Sequence, residues 1–161
     1  MPLWVNNDMM PPMLLTENRK ARHEYHFLKT FEGGLALEGH EVKAIREGGA
    51  KLDGSYLKIL GGELKLIGCH IRPYSKAAHR ETIDPNRTLT VLVNKKELRE
   101  LAEKSAEKGL TMVPISFYPL GRRIKLSFAI AKGKQTHDKR EALKQRDVER
   151  TVRRVMRGED E

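Results

Sequence analysis

Residues 55–68 read SYLKILGGELKLIG, two short runs of alternating apolar and polar residues around Gly61-Gly62. A glycine pair supplies the positive φ angles of a tight primed turn, so this stretch predicts a β-hairpin. A second pairing is predicted at 110–131, LTMVPISFYPLGRRIKLSFAIA, where Pro119 and Gly121 punctuate two longer β-rich runs. Pro114 cannot donate a ladder hydrogen bond and is expected at a strand edge or a bulge. Upstream, YHFLKTF and LALEGHEVKAI also alternate, with Leu35, Leu37, Val42 and Ile45 as the inward set after Gly33-Gly34 and Gly39 as a bulge or bend. One helix is clear between the hairpins. Asn94 can cap it, Glu97 follows three residues later, Leu98, Leu101, Ala102, Ser105 and Ala106 share a face, and Gly109 stops it. Strands on both sides of a single helix, with no βαβ repetition, predict a mainly β fold, an antiparallel barrel or sandwich partly closed by that helix. An OB-like β-barrel fits the element order.

A chain of 161 residues has room for one core of about 100–150 residues with appendages. The segment MPLWVNNDMMPPMLL carries Pro2, Pro11 and Pro12, which makes 1–17 a poorly ordered leader and puts Trp4 outside the core. The barrel is then expected over 18–131 and a tail over 132–161. A net charge of +9 with a third of the residues charged predicts attraction to polyanions: RNA, DNA or an anionic membrane surface. No apolar run approaches the roughly 20 residues needed to span a bilayer. The single Cys69, among Leu66, Ile67 and Ile71, cannot form an internal disulfide. It reads as a small buried hydrophobe in a reducing, cytoplasmic protein.

The tail breaks the alternation. Between 132 and 157 it has ten Lys or Arg against four acids, and Val148, Val152, Val155 and Met156 form a narrow stripe that Leu143 falls off. An isolated helix of this length is marginal in water. Two readings stay open: a helix packed on the barrel through its valines, or a tail mobile alone that orders on an anionic partner.

Enzymatic chemistry is thinly represented. Six histidines and one cysteine show no C-x-x-C or H-E-x-x-H spacing, and no phosphate-binding glycine loop occurs. No metal, cofactor or catalytic residue is expected. Cys69 and His70 are neighbours on a strand and point to opposite faces. The function classes left are a regulated RNA-binding factor, a structural ribosomal protein and, ranked low, a nuclease using His137-Asp138.

Five stretches carry a further signal: NRKARHEYHF (18–27), FEGGLALEGHEVKAIREG (31–48), PYS with DPNRTLTVLVNKKEL (73–98), KGLTMVPISFY (108–118) and AKGKQTHDKREALKQRD (131–147). Together and in this order they closely resemble the bacterial SsrA-binding (SmpB) family, from Asn18 to the end. The resemblance implies an OB-fold barrel that holds the tRNA-like domain of tmRNA, rescues stalled ribosomes in trans-translation and performs no chemistry itself. It implies tmRNA contacts from His23, stacked on a base beside Arg19, Lys20 and Arg22, and from Glu32, Leu92, Asn94 and Lys125 on the barrel. Lys132, Gly133 and Lys134 would form the barrel exit. His137, Asp138, Lys139 and Arg140 would meet small-subunit rRNA in the decoding centre. The helix, expected over 143–157, would anchor through Val155 and Met156 in the empty mRNA channel. Elongation factor Tu enters as a partner through aminoacylated tmRNA. Without the family, Leu92 reads as core, Asn94 as a helix cap, Glu32 as a solvated turn acid and Gly133 as a hinge.

Overall fold

The structure is a computed structural model that describes residues 14–134 and 136–158, and within them no side chains for 136–139, 141 and 142. Most of the proline-rich leader, Trp4 included, lies outside the described residues. In chain order the elements are β1 (Thr16–Glu17), α1 (Arg19–Glu24), β2 (Tyr25–Ala36), α2 (Gly39–Arg46), β3 (Ala50–Lys51), β4 (Tyr56–Leu60), β5 (Glu63–Ile67), β6 (His70–Ile71), β7 (Leu89–Leu92), α3 (Lys95–Ser105), β8 (Leu110–Leu120), β9 (Arg123–Gly133) and α4 (Thr136–Met156). The main sheet runs β1-β8-β4-β5-β7-β2-β9, and β8 also pairs with β9, so the sheet closes on itself. Every pairing is antiparallel. This is the expected OB-like barrel.

The two hairpins set its register. Gly61 and Gly62 have φ of 59° and 76°, and the ladder runs out to Leu60 opposite Glu63. Its inward residues Leu64 and Leu66 lie opposite Val91 and Leu89 of β7, and Leu57 lies opposite Leu66 and Met112 in the same core. In the second hairpin Gly121, at φ 61°, makes the turn with Arg122, while Pro119 lies inside β8 opposite Ile124. The ladder shifts register between Pro114 and Ser116, so Pro114 sits at a bulge as expected. Phe31 and Phe128 stack across β2 and β9 with centroids 5.6 Å apart, at the centre of the core.

β2 runs through both glycines without a break, but for different reasons. A Cβ on Gly33 would stand 2.6 Å from Val91 Cγ1, inside the packed core, whereas one on Gly34 would meet Leu92 at ordinary contact distances of 3.5 and 3.8 Å. Gly33→Ala should therefore lower stability by about 1–3 kcal/mol through overpacking. Gly34→Ala should not, and matched thermal melts of the two variants check the difference.

One expected strand is a helix. The alternation at 35–45 stops at Ala36, and α2 takes over from Gly39. Val42 and Ile45 are three apart, a helical interval, and Glu38 and Glu41 close a reciprocal capping box. Glu41 is buried and paired with Arg87, which ties α2 to the chain before β7. Gly39 is thus the first residue of a helix rather than a strand bulge. The short α1 was also not expected from the pattern.

α3 begins as the sequence predicts. Asn94 Oδ1 accepts from Glu97 N at 2.8 Å, Leu101 is buried, and Gly109 has φ 85°. The last helix starts seven residues before the expected 143. Of its apolar residues Leu143, Val148, Val152, Val155 and Met156 are all exposed, so the stripe does not pack on the barrel.

Candidate nucleic-acid interface

The expected site residues fall into two groups, one at each end of the β2–β9 ribbon and drawing on the elements beside it, and a third set lies on α4. The first group is built around α1. Asn18 is buried, its Oδ1 accepts from Ala21 N at 3.1 Å, and its amide donates to the Pro114 carbonyl at 3.0 Å. That cap starts the helix against the β8 bulge, and Ala21 packs with Val113 and Ala131. With Ala21 facing inward, Arg19, Lys20 and Arg22 are exposed and His23 is half-buried. Glu17 pairs with Arg22 at 3.2 Å and Arg19 at 3.8 Å, exposed contacts that bind each other weakly.

The barrel exit joins this group directly. Lys132 pairs with His26 and Gly133 with Tyr25 in the β2–β9 ladder. Lys134 N donates to the Glu24 carbonyl at 2.8 Å, and its ammonium approaches the Arg22 carbonyl at 3.4 Å. Gly133 is therefore a ladder residue and not a hinge; the joint to α4 follows Lys134. Arg19, Lys20, Arg22, Lys132 and Lys134 thus lie at the same end of the ribbon as His23, with Glu17 and Glu24 as the acids on β1 and α1 among the described residues.

The second group lies nine residues further along β2, roughly 30 Å away at strand rise. Here Leu92, Gly34 and Lys125 are directly opposite one another across β7, β2 and β9, and Glu32 lies opposite Ser127 in the next outward row. Leu92 is 56% exposed, which removes its reading as core. Glu32 is half-buried in mid-strand rather than in a turn. Asn94 is exposed and spends Oδ1 on its cap. Around Leu92 and Lys125 opens a cleft of about 420 Å³, lined also by Gly34, Leu35, Leu37, Val42, Arg122, Arg123 and Ile124. No acid lines it. Gly34, Arg122 and Arg123 were missed in the sequence, although the Gly121-Arg122-Arg123 turn carried a readable signal.

Beside Glu32, the fully buried Ser127 hydroxyl has no hydrogen-bond partner among the described residues. An unmade buried bond costs stability. Ser127→Ala should leave the melting temperature unchanged or raised, read by thermal denaturation.

On α4, His137, Asp138 and Lys139 occupy the first turn, with side chains outside the described set, and Arg140 is exposed. Val155 and Met156 are exposed at the other end, about 28 Å from His137 at helical rise. No single contact serves both ends.

Cys69 and His70 do not form a reactive pair. His70 Nδ1 is 3.1 Å from Asn86 Oδ1. Burial first, and the Glu41 charge second, push the buried Cys69 thiol from 9.0 up to about 12. Its contribution to stability is intact below pH 9.0 and is lost as pH rises toward 12, because the unfolded chain ionises first. Cys69→Ala should flatten that alkaline fall in an unfolding curve taken across the window; the same fall in both proteins would contradict the cause. Among the described residues no helix is long and apolar enough to cross a membrane.

The model of the SmpB protein family matches residues 15–158. An SsrA-binding protein of Burkholderia lata is 44% identical over 146 residues, spanning 91% of this chain and 99% of its own. Another, of Microcystis aeruginosa, is 42% identical over 144 residues, 89% of this chain and 94% of its own. Among solved structures, a chain described under "tmRNA-SmpB: a journey to the center of the bacterial ribosome" superposes with a TM-score of 0.63. It has 41% identity and covers 80% of this chain and 93% of that one.

Proposed function

This chain belongs to the SmpB family, and we propose on that premise that it is an RNA-binding factor of trans-translation. It binds tmRNA and works on the stalled ribosome in the cytoplasm. The observation that carries the reading is that the family match runs unbroken from barrel into tail, over 15–158, while the tail's apolar stripe stays exposed. An RNA-facing barrel and an uncovered basic helix suit a protein with two separate RNA partners.

In this reading the tRNA-like domain of tmRNA lies along the β2–β9 ribbon. His23 stacks on a base of that domain, and Arg19, Lys20, Arg22, Lys132 and Lys134 meet its phosphates. Gly133, having no side chain, lets the RNA backbone come close. At the other end Leu92 gives an apolar contact and Lys125 a charge. Glu32 would be repelled by phosphate, so it accepts from base edges or 2′-hydroxyls. Asn94 uses its amide NH2, because its oxygen holds the cap. The tail places His137, Asp138, Lys139 and Arg140 on decoding-centre rRNA and Val155-Met156 further along the empty mRNA channel. Elongation factor Tu takes part through the aminoacylated end of tmRNA. The barrel itself does no bond chemistry.

The two contact types separate experimentally. His23→Ala should weaken binding of a tRNA-like-domain transcript by about tenfold with an unchanged salt slope, the signature of lost stacking. Lys132→Gln with Lys134→Gln should instead reduce that slope. Filter binding at a series of salt concentrations measures both, and a steep slope change in His23→Ala would overturn its stacking role.

A further inference from the structure

We infer that the open edge of β4 at Ile59 is a docking site for an extended peptide of a partner protein, one that presents the order apolar, apolar, acidic. The inference goes beyond RNA binding, because β4 lies across the barrel from the ribbon: β5 and β7 separate it from β2, and β8 separates it from β9. It starts from a seam that barely closes. Every other junction of the ring carries three or more ladder pairs, whereas β4 meets β8 at Leu57 and Met112 alone.

Hairpin geometry identifies the groups this seam leaves over. Leu60 and Glu63 flank the two-residue turn as a hydrogen-bonded pair, so Leu60, Lys58 and Tyr56 bond to β5, while Ile59 and Leu57 turn their N–H and C=O to the other edge. Leu57 finds Met112 there. Ile59 would need Leu110 in the same register, but Leu110 N already donates to the Glu107 carbonyl at 3.3 Å, just past α3. No ladder pair on that edge, and no turn, cap or loop bond among the described residues, reaches the Ile59 backbone. An unpaired strand edge is a template for another strand.

The surroundings specify that strand. A peptide residue opposite Ile59 shares its face and enters a cleft of about 330 Å³ walled by Ile59, Leu110 and Met112, room for one large apolar side chain. Its two neighbours project from the outer face beside Leu60 and Lys58. Leu60 is 43% exposed and offers an apolar contact. Lys58 faces Lys65 directly across the hairpin, an unfavourable like-charge pair. Lys65 is offset by Glu63 at 2.7 Å and donates to Thr90 Oγ1 at 2.7 Å. Exposed Lys58 enters no ion pair among the described residues, and no acid lines the cleft. A carboxylate on the incoming strand supplies the missing counter-charge. In the antiparallel sense of every pairing in this sheet, the peptide meets Leu60, Ile59 and Lys58 in that order, which sets its own as apolar, apolar, acidic.

The test selects a random heptapeptide library displayed on phage against the full chain, then titrates the enriched peptide onto the wild type, Lys58→Glu and Ile59→Pro by fluorescence anisotropy. Enriched sequences should share the apolar, apolar, acidic order. Lys58→Glu should weaken binding by about fivefold or more and come to favour a peptide with lysine in place of the acid. Ile59→Pro removes the outward N–H, a change that an edge strand tolerates, and should abolish binding. A saturating transcript of the tRNA-like domain of tmRNA should leave the peptide affinity unchanged. No enrichment, an enriched peptide without the acid, or equal affinity for the wild type and Lys58→Glu would overturn the inference. Displacement of the peptide by the transcript would give this edge to RNA and overturn it as well. If Ile59→Pro melts early, the surface variant Lys58→Glu decides by itself.

Discussion

A chain ending at Gly133 should bind the tRNA-like domain of tmRNA within about threefold of the full chain, as expected of independent sites, and add no tags to stalled ribosomes. The barrel's pairing ends at Gly133 and Lys134, so the cut removes one backbone bond, Lys134 N to the Glu24 carbonyl, and leaves the core complete. Everything after it that is described as apolar is exposed, so the truncated protein loses no packing. What it does lose is charge: nine Lys or Arg from Lys134 to Arg157, of which only Lys134 belongs to the barrel's proposed RNA face. Its RNA binding should therefore depend less steeply on salt. A fall in RNA affinity as large as the fall in tagging would contradict the separation of barrel and tail.

The reverse phenotype is expected from Glu32→Gln combined with Asn94→Ser. Serine keeps an N-cap oxygen for Glu97 N, so α3 should hold to within a few tenths of a kcal/mol. Glu32 is half-buried and enters none of the described ion pairs, so the amide should leave the barrel standing. Losing one amide donor and one carboxylate acceptor at the RNA face should cost on the order of tenfold or more in tmRNA affinity. Circular dichroism separates the possibilities. A double variant that unfolds would make these residues structural, whereas a folded one with wild-type affinity would remove them from the interface.

The barrel was legible because its determinants are local. Gly61-Gly62 and Gly121 fix the hairpin turns, and alternation marks the strands between them. Asn94 likewise announced α3. α2 was misread because Leu35 and Leu37 set up a two-residue rhythm that Gly39 seemed only to interrupt. The capping box at Glu38 and Glu41 and the three-residue step from Val42 to Ile45 were the better guide. α1 was hidden because its stability comes from Asn18 reaching Pro114, a partner 96 residues away.

The site was legible in part. Its candidate residues come from the family resemblance, but Leu92 carries no mark in one dimension of lying outside rather than inside. Only the ladder that sets it opposite Gly34 and Lys125 shows which face it takes. The same ladder explains why Gly133 is not a hinge, a property that a lone glycine between two lysines suggests but cannot establish. Gly33 and Gly34 look identical in sequence, and Val91 beneath only one of them makes the difference.

The central claim is that this barrel selects one tRNA-like RNA rather than RNA at large. Purifying the full chain from bacterial cells at physiological salt and sequencing the bound RNA tests it most directly. The account predicts that tmRNA dominates the reads far beyond its share of cellular RNA. Reads spread over ribosomal RNA in proportion to its abundance, with tmRNA unenriched, would contradict it.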